Sequence, residues 1–200
     1  MTQFEKYGYE LVHDVVNEQT SKLLSETMRQ EKKIYFYEKK LRKDSYKGDP
    51  LVEKSFTKYS LNCLEVLCQM LLPKMEEITG KSLFPTYTYS RIYYEGAEMS
   101  AHLDRPSCEY SATLTLSISE EPWEIWIKDL LKNDICLKIP VGSMCVYKGQ
   151  EMLHWRNKYE GKEQIQVFLH YVDVNGPCAK FKYDGRPMMG LRTNYEVSEK

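Results

Sequence analysis

Tyr87-Thr88-Tyr89-Ser90-Arg91-Ile92-Tyr93-Tyr94, closed by Glu95-Gly96 and followed by His102-Leu103-Asp104 and Ser111-Ala112-Thr113-Leu114-Thr115-Leu116, is the stretch that decides the fold. Its first and last segments are rich in Tyr, Thr, Ile and Leu and read as strands. Glu95-Gly96 is turn chemistry. A polar tripeptide able to bind a metal therefore sits between two strands. Side chains two apart on a strand, or at its end, point the same way, so His102 and Asp104 face together.

The same texture continues outward. Residues 123–127, 135–139, 143–147 and 165–172 read as further strands, rich in Val, Ile, Tyr and Trp. Turn residues separate them at Glu121-Pro122, Asn133-Asp134, Pro140-Val141-Gly142 and Glu160-Gly161. Towards the N-terminus the pattern changes. Residues 9–16 form a short strand, and Asn17 or Thr20 caps a helix to about residue 32, with Leu23, Leu24 and Met28 on one face. The Lys-rich stretch 38–50, ending in Gly48-Asp49-Pro50, reads as a solvated loop. Between 60 and 79, Leu61, Leu64, Cys68, Leu71, Met75 and Ile78 recur at helical spacing and form one buried stripe. Pro73 is expected to kink or divide that helix, and Gly80 to stop it. The expected class is α+β, an antiparallel sandwich or jelly roll with supporting N-terminal helices. We expect one domain over 1–200: strand and helices to 83, the β core over 84–173, and a Gly- and Pro-punctuated C-terminal arm from 174.

Bulk properties narrow the function. The chain has 200 residues, enough for a substantial core. Its 28 basic and 29 acidic side chains nearly cancel, which argues against a nucleic-acid partner. No apolar run is long enough for a membrane span, and the N-terminus has no apolar signal core. Six cysteines without a C-x-x-C pair read as reduced thiols rather than a zinc site. The expected location is cytoplasmic. Neither G-x-G-x-x-G nor G-x-x-x-x-G-K-[ST] occurs, and no Ser/His/Asp or Cys/His set stands out.

H-x-D alone is a weak signal. Here the turn Pro140-Val141-Gly142 and the strand Ser143-Met144-Cys145-Val146-Tyr147 lead to a third candidate ligand, His154. Two imidazoles and one carboxylate occupy one face of an octahedral metal and leave the other positions open, as in non-haem Fe(II) oxygenases. The order of strand, H-L-D, strand, P-V-G-S turn, strand, His and a final strand Gln166-Val167-Phe168-Leu169-His170-Tyr171-Val172 resembles Fe(II)/2-oxoglutarate-dependent dioxygenases. Within that family it is most similar to the prolyl-hydroxylase-like branch. The resemblance spans roughly residues 84–173 and implies a double-stranded β-helix core.

The resemblance assigns His102, Asp104 and His154 as iron ligands. The carboxylate of Asp104 leaves no place for a halide, so hydroxylation is implied. No catalytic residue beyond the ligands is implied. The implied co-substrates are 2-oxoglutarate and dioxygen, with ascorbate as accessory reductant. The family usually carries an Arg or Lys about ten residues after the last ligand, for the distal carboxylate of 2-oxoglutarate. Here that place holds neutral Gln164. Arg156, two residues after His154 and on the same strand face, is the replacement, with Arg105 as runner-up. A surface salt bridge is the competing reading of Arg156. Tyr94 resembles the family tyrosine that meets the co-substrate carboxylate, and competes with a purely structural role. Gln164 and His170 share one face of the last strand and are expected in the pocket. Trp123, Trp126 and Trp155 border a substrate groove or fill the core. The implied substrate is a C–H bond of a peptide, protein or small molecule, a prolyl residue being the nearest analogy. Two alternatives stay open: a cupin-type metal enzyme that does not use 2-oxoglutarate, and a silent jelly-roll binding module.

Overall fold

The computed structural model describes residues 2–42 and 51–191. The elements run α1 (Gln3–Tyr7), β1 (Tyr9–Val12), α2 (Glu18–Arg42), β2 (Ser55–Tyr59), α3 (Asn62–Thr79), β3 (Leu83–Tyr94), β4 (Met99–His102), β5 (Tyr110–Ile118), β6 (Ile125–Lys128), β7 (Asp134–Leu137), β8 (Met144–Lys148), β9 (His154–Arg156) and β10 (Glu163–Asp173). Short 3-10 segments cover Pro106–Cys108 and Ala179–Gly185. The strands form two antiparallel sheets. The larger has the order β1-β8-β5-β10-β3-β2 and the smaller β4-β9-β6-β7.

The period-two pattern of β10 shows how the layers assemble. Ile165, Val167, Leu169 and Tyr171 join one buried cluster with Leu24 and Met28 of α2 and with Leu64, Cys68, Met75 and Ile78 of α3. The helices thus cover the outer face of the larger sheet. Each such leucine or isoleucine contributes about 1.5–3 kcal/mol by leaving water. The alternate β10 residues Gln164, Gln166, Phe168 and His170 are also buried, on the other face, towards the smaller sheet. Between the sheets lie two further apolar clusters, one around Tyr93, Met99 and Trp123, the other around Ile127, Cys145 and Tyr147. The polar site is built between them.

Several expectations on local structure need correction. The first strand is only four residues long and follows α1, whose N-terminus is capped by Thr2 and Glu5. Asn17 does cap α2, its Oδ1 accepting from the Thr20 amide at 2.9 Å. That helix, however, continues to Arg42, so the expected loop over 38–50 is helical in its first five residues. Lys, Glu and Leu after residue 37 favour helix; residues 43–50 lie outside the described residues. Helix α3 is one element through Pro73 rather than divided there. The proline forfeits one backbone bond, while Leu64, Cys68, Met75 and Ile78 keep both halves on the sheet. Gly80 ends it with φ +66°, its amide bonded to Glu76 O. All six thiols are free. No helix among the described residues is long and apolar enough to cross a membrane.

Candidate metal centre

Strand β4 ends at His102 and β9 begins at His154, and the two residues are register partners. Their rings lie 4.3 Å apart, centre to centre. Asp104 follows β4 after one residue and is held by its amide, which donates to Gly149 O at 2.9 Å. One ligand atom from each of His102, Asp104 and His154 lies within 4.8 Å of the others. Asp104 Oδ1 is 3.6 Å from His154 Nε2.

Hydrogen bonds fix the direction of each donor atom. His102 Nδ1 meets Ser100 O at 2.8 Å, and His154 Nδ1 meets Met152 O at 3.0 Å. A carbonyl only accepts, so each Nδ1 carries the proton and each Nε2 keeps its lone pair. Ser111 Oγ donates to Asp104 Oδ2 at 2.9 Å, leaving Oδ1 to face the imidazoles. A Cβ at Gly149 would stand 2.5 Å from Asp104 Oδ2 and 2.2 Å from Cys108 O, so this loop tolerates no side chain. Burial lowers the His154 pKa, opposed by Asp104 and reinforced by His102. The imidazole is thereby kept neutral, as a metal requires. Two bare imidazole nitrogens and one single-oxygen carboxylate fit a divalent transition metal with open positions.

The triad opens into a cavity of about 230 Å³. Tyr87, Tyr89 and Arg91 enter it from β3, Phe168 and His170 from β10, Tyr147 from β8, and Arg105 from the loop after Asp104. His170 Nδ1 lies 2.9 Å from Ser111 Oγ. Because Ser111 spends its only proton on the carboxylate, His170 Nδ1 is the donor in that contact. Burial pushes the His170 pKa down to about 4. The ring is therefore neutral, with Nε2 left as an acceptor. Cys108 also lines the cavity, and burial pushes its thiol up to about 12, so it is inert.

The other expected site residues fall in different places. Arg156 is 1% exposed and does not line this cavity. Its Nη1 bonds the Trp123 carbonyl, and its guanidinium lies 5.0 Å from that indole. Among the described residues, Nε and Nη2 have no hydrogen-bond partner, and neither does the nearby buried Tyr93 hydroxyl. Arg156 is thus not a surface salt bridge. Burial lowers its pKa, partly offset by the neighbouring Tyr93 and Tyr147. Gln164 is also buried but engaged, accepting the Trp123 amide at 2.8 Å. Tyr94 does not face the site. It lies on the helix side of β3, where Lys32 Nζ donates to its hydroxyl at 2.6 Å. Its neighbour Tyr93 points inward instead, since one residue along a strand reverses the face. Arg105 turns away from Asp104 towards Tyr87 and Asp184. Trp123 is core, whereas Trp126 and Trp155 stack on each other at 6.0 Å, outside the cavity lining.

Sequence reasoning missed Ser111, Gly149, Arg91 and Tyr93. Alternation places Tyr87, Tyr89, Arg91 and Tyr93 on one face of β3, but parity alone does not say which face is inside.

No protein-family model matches the sequence, and no curated protein matches it either. Solved structures do. A Pseudomonas putida prolyl-4-hydroxylase aligns with a TM-score of 0.65 at 11% identity, over 85% of this chain and 95% of that one. The viral collagen prolyl hydroxylase of Paramecium Bursaria Chlorella virus-1, in complex with 2-oxoglutarate, gives 0.58 at 13% identity, over 85% and 98%. HygX from Streptomyces hygroscopicus, with nickel, 2-oxoglutarate and hygromycin B bound, gives 0.64 at 10% identity, over 88% of each chain. At such low identity the likeness establishes the fold, the jelly-roll fold of 2-oxoglutarate–Fe(II) oxygenases.

Proposed function

We propose that the protein is an Fe(II)- and 2-oxoglutarate-dependent oxygenase that hydroxylates an unactivated C–H bond. The observation that carries this reading is the donor set: His102 Nε2, His154 Nε2 and Asp104 Oδ1, each aimed by a hydrogen bond on its far side. A ferrous ion held there supplies the redox chemistry by which 2-oxoglutarate, dioxygen and C–H become succinate, carbon dioxide and C–OH. The chain's own share is to hold the ligands, bind the co-substrate carboxylate, keep water out and position one C–H bond.

For the distal carboxylate of 2-oxoglutarate we assign Arg156, assisted by Tyr93. Two guanidinium nitrogens and one hydroxyl, buried and without hydrogen-bond partners among the described residues, are what an incoming carboxylate would satisfy. Met99, the register partner of Arg156, lines the metal cavity, and a flexible thioether is a wall that can adjust. Arg91 supports a second reading, because it lines the cavity itself. Arg156→Ala is expected to raise the apparent 2-oxoglutarate constant at least about tenfold, which corresponds to about 1.4 kcal/mol. An unchanged constant, with a rise in Arg91→Ala, moves the role to Arg91.

The substrate is a peptide, protein side chain or small molecule, with a prolyl residue as one case by analogy to the hydroxylases of the same fold. Anaerobic Fe(II) plus 2-oxoglutarate should produce the weak visible charge-transfer band of the chelate. Metal binding without that band would remove 2-oxoglutarate and leave a metal-bearing jelly roll of another class. No metal binding would leave a binding module.

A further inference from the structure

The C-terminal arm contributes a side chain to the neighbourhood of the metal cavity, and its anchoring is elaborate. Arg186 is buried and pairs with buried Glu65 of α3 at 3.0 Å. It also donates to Thr86 O at 2.9 Å, to Leu191 O at 2.8 Å and to Ser60 Oγ. Glu65 in turn accepts from the Thr88 and Gly190 amides, both at 2.8 Å. Immediately before this anchor, Tyr183 and Asp184 stand at φ +55° and +57°, a left-handed backbone that is costly without glycine. The turn delivers Asp184 to the cavity rim. There Asp184 Oδ2 accepts from Tyr59 Oη at 2.6 Å and from Arg105 Nη2 at 2.9 Å. Arg105 Nε donates to Tyr87 Oη at 3.1 Å, and the guanidinium lies 4.4 Å from the Tyr87 ring centre. Tyr87 is itself stacked on Tyr59 at 5.1 Å and set against His170 at 4.6 Å. A cation at the rim of the cavity is thus held at Nε, at Nη2 and by one ring face. Its Nη1 has no hydrogen-bond partner among the described residues. Asp104 is the sole acidic side chain lining the cavity among those residues, and the metal would engage it.

We propose that Arg105 is the substrate-binding cation of this site, that Asp184 of the C-terminal arm is its positioning residue, and that the substrate presents a carboxylate to it. The proposal rests on the oxygenase reading above. A guanidinium with Nη1 open and its plane fixed reads a carboxylate by geometry as well as charge. The exposed Leu103 beside it leaves the rim open to solvent, so the carboxylate enters from outside while the reacting carbon reaches inward. Two sources share this chemistry: the carboxylate of a free amino acid, and the side chain of Glu or Asp in a peptide.

The test measures succinate release by the Fe(II)-loaded full chain at saturating 2-oxoglutarate. Each probe is one of a pair: free amino acids against their carboxamides, and short Glu peptides against the Gln equivalents. We expect carboxylate members of one arm to stimulate turnover at least tenfold more than their amides, and the responding arm identifies the source. Arg105→Gln should erase that preference while the anaerobic chelate band persists. Asp184→Asn should raise KM for the responding carboxylate several-fold with less change in kcat, and Asp184→Glu should recover part of it. A purely structural role for Asp184 would lower thermal stability without moving this KM. Equal stimulation by acids and amides, or no response to any carboxylate while the chelate band forms, overturns the proposal. Absence of the band overturns the oxygenase reading instead.

Discussion

At the scale of single residues, the candidate metal centre depends on parts that would bind nothing themselves. Gly149 is the clearest. Its Cβ position is already occupied, by Cys108 O at 2.2 Å and Asp104 Oδ2 at 2.5 Å. Gly149→Ala must push Asp104 off its Ser111 bond, and we expect metal affinity to fall at least tenfold, read by Fe(II) or Zn(II) titration of the folded variant. Wild-type affinity in that variant would mean the loop moves freely and does not set the ligand. His170 gives a second prediction, on pH. Burial depresses its pKa from the ordinary 6.5 to about 4. Above pH 6.5 the imidazole is neutral in both folded and unfolded chains. As pH falls from 6.5 towards 4 the unfolded chain takes up a proton that the folded chain refuses, so stability is lost across that window. The effect is on the order of 3 kcal/mol, and His154, also depressed by burial, acts in the same direction. Urea midpoints of metal-free protein should fall from pH 7 to pH 4.5, and His170→Asn should flatten part of the decline. The same slope in that variant would assign the pH dependence to other groups.

At the scale of elements, strand β3 shows what the sequence can and cannot reveal. Its existence follows from Tyr, Thr and Ile in alternation, and α3 follows from Leu64, Cys68, Met75 and Ile78 at helical spacing. The face that β3 turns to the metal does not follow. Tyr93 and Tyr94 are adjacent and chemically identical, and it takes the packing of Ile92 and Tyr94 on the helix-side cluster, and of Tyr93 with Trp123, to decide that Tyr93 points inward. Tyr93→Phe should therefore raise the apparent 2-oxoglutarate constant several-fold, whereas Tyr94→Phe, which cuts the Lys32 bond on the helix side, should leave it alone. The reverse result would mean the co-substrate approaches through the helix layer. Strands β4 and β9 were harder to read, being four and three residues long, below the length at which periodicity speaks. Yet they carry His102 and His154. Those residues were legible through the order of motifs around them, not through local pattern. Ser111 and Gly149 carry no signature at all, because a hydroxyl and a missing Cβ acquire meaning only beside Asp104.

At the scale of the whole molecule, the candidate metal centre lies where the two sheets meet. His102 and His154 belong to the smaller sheet, while Ser111 on β5, Tyr147 on β8 and His170 on β10 belong to the larger. Polar groups of both sheets face one cavity, and Asp104 Oδ1 lies 3.6 Å from His154 Nε2. A ligand that binds only the folded chain raises its stability by RT ln(1 + [L]/Kd), about 2.7 kcal/mol at a hundredfold excess over Kd. For a chain of this size each kcal/mol moves the melting midpoint by about 2–4 °C. Fe(II) under anaerobic conditions, or redox-inert Zn(II), at that excess should therefore raise Tm by about 5–10 °C, and a chelator should reverse it. Adding 2-oxoglutarate should raise it further only when metal is present, since on the proposed reading the metal would supply part of its site. Asp104→Ala removes the carboxylate and should abolish both increments. A 2-oxoglutarate increment that survives without metal would separate co-substrate binding from the triad, and would place the anchoring energy at the buried Arg156 and Tyr93 instead.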